Sequence, residues 1–169
     1  WAQKGIKSTF VDKGGHTWSL ERYVRTVLKS TLGNTYDKLR KDRMSEYDVH
    51  TVLVTSHMGA RKACSKIQGH VADLRESVSS NEKYKSIYDP YWGAEYGTAG
   101  GHRGINCNHL HIPFIPGINT NNQPKIDAKE NEKVAELTKR QRQLERQVVK
   151  FKKNHMVSEA LDHTDKAKQ

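Results

Sequence analysis

The chain has 169 residues, 34% of them hydrophobic, with a formal net charge of +10 and a mean hydropathy of −0.88. That length suits one domain with an appendage, and so small an apolar fraction leaves part of the chain outside any core. No apolar run reaches the roughly 18 residues of a transmembrane helix, no segment reads as a secretory signal, and two cysteines are too few for a disulfide scaffold. The cation excess favours an anionic partner, either nucleic acid or an acidic protein surface. Cys64 and Cys107 fit a reducing cytosol, and a chain that begins at Trp1 reads as part of a longer protein.

Residues 1–18 are polar and broken by Gly5, Gly14 and Gly15, as in an arm or a short strand with a turn. From Ser19 the pattern becomes helical. Leu20, Val24, Val27, Leu28, Leu32, Tyr36 and Leu39 recur at three- and four-residue steps, as in a helix that lays one face on a sheet. Ser19 is placed to cap it, Trp18 and Tyr23 stand at staple positions, and Gly33-Asn34 is a point where it would kink or divide. Val49–Thr55, "VHTVLVT", is β-branched and apolar, which predicts a buried strand. Gly69 separates "CSKIQ" from "HVADL" as a turn separates two short strands. Residues 79–101 form a long loop carrying "YDPYWGAEYGTAGG", packed by its own aromatics.

"GINCNHLHIPF" follows, and there Cys107, His109 and His111 alternate. On a strand all three project from one face. With Cys64, and His57 or His70, they supply enough donors for a tetrahedral Zn²⁺ site, although no pair of C-x-x-C knuckles is present. The plainer reading is a half-buried strand in which Cys107 behaves as a small hydrophobe. Asn106, Asn108, His109 and His111, with Asp89 and Glu95 nearby in sequence, also admit a metal-dependent nuclease. A Cys107–His109 thiol–imidazole pair lacks any identifiable orienting group. "GTAGGHRG" lacks the strand–loop–helix setting and the Lys-Ser/Thr ending of a phosphate loop, so its glycines read as a tight path past packed aromatics. Arg61 and Arg103 lie in glycine-flanked segments beside the two cysteines, where they would brace two halves of the domain or bind an anion.

After Pro124 the composition changes. Val134, Leu137, Leu144, Val148 and Phe151, with Gln141 in the gap, mark an a/d seam of about three heptads. From Thr138 to Lys153 the cations are Lys139, Arg140, Arg142, Arg146, Lys150, Lys152 and Lys153, against the single acid Glu145. Such a helix packs on its own domain, pairs with a partner helix, or lies along an anionic surface. Beyond Ser158 a polar, fraying tail is expected.

Four motifs in order, "GIKSTFVDKGGHTWSLERYV", "SHMGARKACSKIQGHV", "YGTAGGHRGINCNHLHIPFIPG" and "RQRQLERQVVKFKK", resemble the minor capsid protein 2 family of tailed bacteriophages over about Gly5 to Lys153. That family is similar, more distantly, to Mu F-type head-morphogenesis proteins. Set against the Mu F-type C-x-x-C and Cys-Arg-Cys pattern, Cys64, Cys107 and His109 fall on ligand-capable positions, whereas Arg61 replaces a cysteine and cannot ligate. The resemblance therefore implies at most a three-ligand zinc remnant completed by His57, His111 or water. It otherwise implies that these residues, with Gly69 and Arg103, pin the hairpin of the 60s to the 107–114 strand.

The fold expected is α+β: an N-terminal amphipathic helix on a small, mainly antiparallel sheet over residues 1–118, a linker at 119–127, and a long basic helix with a polar tail over 128–169. By resemblance the protein is no enzyme. It is a minor virion component assembled in the host cytoplasm and held inside the capsid near the portal, where it assists head morphogenesis and genome packaging or delivery. Its implied partners are the portal protein, other capsid proteins and packaged DNA, met non-specifically by the Lys139–Lys153 face, with no membrane and no cofactor unless zinc. The competing reading is a metal-dependent nuclease or delivered effector centred on Cys107–His111.

Overall fold

The computed structural model describes residues 9–79 and 82–160. The arm read over residues 1–8 and the tail beyond Ala160 lie outside them, as do residues 80 and 81 of the long loop. Two compact units are present, residues 26–135 and residues 9–25 with 136–160.

In the second of these, β1 (Thr9–Val11) and β2 (Thr17–Ser19) pair antiparallel, with Thr9 opposite Ser19. The Asp12 carboxylate closes their turn by accepting from the backbone N–H of Gly14 and His16 and from the Trp18 indole. Ser19 Oγ accepts from the Arg22 N–H, and Trp18 meets Tyr23 edge to face. These are the cap and the staple that the sequence predicts for α1 (Leu20–Glu46). The helix runs unbroken through Gly33-Asn34, so it is not divided there.

The larger unit is built on β3 (Thr51–Val54), flanked antiparallel by β4 (Val71–Asp73) and β5 (His111–Pro113) in the order β4-β3-β5. Val52 and Val54 are fully buried in the central strand, as a continuous β-branched run requires. Val54, Ile67, Ala72, Ile87, Trp92 and Ala94 form the apolar core. The long loop is packed through its own aromatics: a 3₁₀ turn at Pro90–Trp92 buries Trp92, whose indole donates to the Ser86 carbonyl at 2.9 Å.

Three local expectations are corrected. "CSKIQ" is not a strand, because Cys64 lies in a short helix, α2 (Lys62–Ser65), and Gly69 at φ +74° makes the turn from it into β4. "GINCNHLHIPF" is strand only over His111–Pro113. The Leu/Val stripe of α1 is not the face that packs, since its members from Leu20 to Leu39 are 41–67% exposed. Asp37 and Met44, on the opposite side of the helix, are the buried ones. That side carries the polar partners the sheet unit needs: Arg40 donates to the His111 carbonyl at 2.7 Å, and Asp37 faces Arg103 at 3.4 Å.

The final helix, α3 (Ala128–Ala160), begins where expected and runs just past Ser158. Asp127 caps it by accepting from the Glu130 N–H. The segment before it is tied to the sheet: Gln123 Oε1 accepts from the Ser56 N–H, and the Asn121 amide donates to the Gly69 carbonyl.

Candidate metal centre

Cys64, on α2, meets residues from two other segments. The sulfurs of Cys64 and Cys107 are 3.8 Å apart, both are free thiols, and Cys107 Sγ is 3.4 Å from His109 Nδ1. His102, in the glycine-rich run, joins them, and the ligand-capable atoms of these four residues lie within 4.8 Å of one another. Both histidines are no more than 1% exposed.

Backbone geometry brings these side chains together. Arg103 and Asn106 both adopt φ +60°, so the chain turns twice between His102 and His109. The path is tight enough that a Cβ on Gly101 would sit 1.9 Å from the Glu95 carbonyl oxygen, and one on Gly104 would sit 2.0 Å from that of Thr98. Arg61, just before α2, donates to the carbonyls of Gly101 at 2.7 Å and Ile105 at 3.0 Å, tying the turn that carries Cys64 to the loop that carries His102. Arg103 donates to the carbonyls of His109 and Gly33 at 2.8 and 3.0 Å.

Each imidazole has a partner behind it. His109 Nε2 lies 3.2 Å from Gln68 Oε1, and that oxygen already accepts from the His57 backbone N–H at 3.1 Å. His102 Nε2 lies 2.9 Å from His111 Nε2, and His111 Nδ1 faces Asp37 Oδ1 at 3.6 Å. Burial holds His102 below its usual pKa and His111 well below it, so both imidazoles are neutral. The two thiols are driven apart. The hydrogen bond from Cys64, joined by those from His102 and His109, pulls Cys107 down, whereas bonding to Cys107 and burial push Cys64 up.

Of the residues predicted as ligands, Cys64, Cys107 and His109 are brought together. The fourth position falls to His102, which sequence reasoning does not single out. Its signal in the sequence is the run "GGHRG", where glycines crowd a single side chain against neighbouring backbone. His57 instead stacks on His109 with ring centroids 4.1 Å apart, and His111 stands behind His102. The acids that a nuclease centre needs are elsewhere: Asp89 caps the 3₁₀ turn through the Tyr91 N–H, and Glu95 is exposed.

The basic residues of α3 lie outside this centre. At about 100° per residue, Lys139, Arg142, Arg146, Lys150 and Lys153 share an arc of about 80°, and Leu137, Leu144, Val148 and Phe151 share the opposite side. Arg140 and Lys152 flank these two faces. All seven cations are exposed, and among the described residues only Lys153 pairs with an acid, reaching Glu21 at 2.6 Å.

The whole chain, residues 1–169, matches the family described as Phage minor capsid protein 2. It is 39% identical over 169 residues, 99% of its length, to a structural protein of Lactococcus phage LL-H, and covers 44% of that protein. Over 85 residues, 50% of the chain, it is 39% identical to a structural protein of Lactococcus phage mv4, covering 66% of it. The chain thus spans less than two thirds of the length of either relative. No solved structure matches it. A match over every residue, with a structural phage protein aligned along nearly the full chain, fixes the assignment: the chain belongs to the phage minor capsid protein 2 family.

Proposed function

We propose that the protein is a minor component of the virion, held near the portal inside the capsid, where it assists head morphogenesis and genome packaging or delivery and touches packaged DNA. The observation that carries this reading is the two-sided α3: five cations on one arc and an exposed apolar seam on the other. A helix of that kind lays its seam on a neighbouring protein surface, here the portal or another capsid protein, and turns its charged side to an anionic polymer. The long side chains of Arg142, Arg146 and Lys150 suit phosphate contacts, which give register and affinity but no sequence preference.

DNA binding measured against salt tests it. Five phosphate contacts give a log–log slope of roughly −4.5 on duplex DNA, with equal affinity for unrelated sequences. Replacing Arg142, Arg146 and Lys150 by Ala should flatten the slope by roughly 0.9 for each phosphate no longer neutralised. Affinity that ignores salt, or that the triple variant leaves unchanged, sinks the DNA contact. Failure of the full chain to co-sediment with purified portal sinks the placement.

A further inference from the structure

We infer that Cys64, His102, Cys107 and His109 hold one zinc ion in a closed tetrahedral site. Zinc takes thiolate sulfur at about 2.3 Å and imidazole nitrogen at about 2.0–2.1 Å. In a regular tetrahedron those bonds place two sulfurs about 3.8 Å apart, and a sulfur and a nitrogen about 3.5 Å apart. The Cys64 and Cys107 sulfurs are 3.8 Å apart, and Cys107 Sγ is 3.4 Å from His109 Nδ1. Two thiols in plain van der Waals contact need no imidazole lone pairs beside them. Here two buried imidazoles converge on the same small volume.

The hydrogen bonds behind the histidines say which nitrogens face the ion. Gln68 Oε1 accepts from a backbone N–H, so it is an acceptor towards His109 as well. His109 therefore carries its proton on Nε2 and keeps the Nδ1 lone pair for the cluster. Along the second branch, the Asp37 carboxylate stands 3.6 Å from His111 Nδ1, too far for a hydrogen bond, and favours a proton there through its charge. His111 Nε2 then accepts from His102 Nε2, and the His102 lone pair is left on Nδ1, a buried atom with no hydrogen-bond partner. Two independent branches thus prepare Nδ1 donors on two imidazoles, the arrangement metal-binding histidines require.

Two thiolates and two imidazoles suit zinc rather than a hard cation, and four protein donors leave no open position for substrate or activated water. The role is structural. The ion would clasp α2, the glycine-rich loop and the segment before β5 on a unit whose apolar core is small.

The test uses the full chain under reducing conditions. Elemental analysis of protein purified without chelator should give about one zinc per chain. Metal-free protein titrated with Co²⁺ should show the intense absorption of tetrahedral cobalt–thiolate, saturating at one equivalent and displaced by Zn²⁺. His102→Ala should weaken cobalt binding at least tenfold, whereas His57→Ala should leave the bands in place. If His102→Ala does not fold, the spectrum and stoichiometry of the unaltered chain decide. Weak octahedral bands, substoichiometric metal, or a Cys64–Cys107 disulfide persisting in reductant would overturn the site. Loss of the bands in His57→Ala with retention in His102→Ala would overturn the ligand assignment.

Discussion

Asn131 pairs with Ala60 as one strand residue pairs with another. Its side-chain amide donates to the Ala60 carbonyl at 2.8 Å, and its oxygen accepts from the Ala60 N–H at 3.0 Å. Both residues are buried, so the first turn of α3 closes the backbone just ahead of Arg61 and α2. Asn131→Ala strips two buried backbone groups of their partners and should destabilise the protein by about 2–4 kcal/mol in urea unfolding. Asn131→Asp should not recover this, because it loses the donor and buries a charge. A loss below about 0.5 kcal/mol would mean that water satisfies both groups.

Gln68 makes a sharper test of the site, because a conservative replacement separates bonding from packing. Gln68→Glu keeps an acceptor for His109 Nε2 and for the His57 N–H, whereas Gln68→Leu keeps volume alone. Cobalt affinity should fall by about 10–100-fold in Gln68→Leu and change little in Gln68→Glu. Equal loss in both variants would mean that Gln68 acts only by filling space.

Gly100 and Gly104 lie on either side of His102 but answer to different constraints. A Cβ on Gly100 meets nothing within 4 Å, and one on Gly104 overlaps the Thr98 carbonyl oxygen at 2.0 Å and that of Ala99 at 2.7 Å. Gly100→Ala should change stability by less than about 0.5 kcal/mol. Gly104→Ala must displace backbone, and should cost about 3 kcal/mol or more. Thermal melts of the two variants side by side would show the asymmetry.

Legibility in the sequence follows the range of the forces involved. "VHTVLVT" reads as β3 because β-branched residues in a short apolar run leave few alternatives, the start of α1 reads from its cap and periodicity, and α3 reads from the heptad spacing after Pro124. The face of α1 that packs does not read so. Its choice depends on Asp37 and Arg40 finding partners in Arg103 and the His111 carbonyl, more than 60 residues away. Alternation correctly pairs Cys107 with His109, but on the premise of a strand that is absent there. Their convergence comes from left-handed backbone at Arg103 and Asn106, which hydrophobic periodicity does not encode. His102 stays hidden for the same reason: only loop closure through Arg61 brings it to Cys64.

An ion pair between a buried carboxylate and a partly exposed guanidinium sets an acid limit. Asp73, on β4, is almost wholly buried and accepts from the Arg75 backbone N–H at 2.8 Å and from its guanidinium at 3.0 and 2.7 Å. Burial pushes its carboxyl up, but the Arg75 fork outweighs burial and holds it below the usual value of 3.8. With the folded-state pKa depressed, the pair's stabilisation is fully present above about pH 4 and is lost as pH falls through the folded value. Asp73→Asn should therefore be less stable than the unaltered chain by about 1–3 kcal/mol at pH 7, with the gap closing below pH 4. A gap that stays constant down to pH 2 would show that the carboxylate charge contributes nothing.

Leu144 separates an assembly surface from a folding surface. It is 52% exposed, midway along the seam of α3, opposite the basic arc. A residue that packed on its own domain would give up apolar burial on becoming Asp, and the melting temperature would drop by several degrees. At its observed exposure, Leu144→Asp removes little buried area, and the melting temperature should move by no more than about 2 °C. If the seam docks on a partner as proposed, the same change puts a charge in the middle of that surface, where an unpaired carboxylate is costly to desolvate. Incorporation into heads should therefore fail while soluble protein accumulates at normal stability. Normal incorporation would leave the seam without a role in assembly, and the basic arc would then have to account for retention in the virion alone.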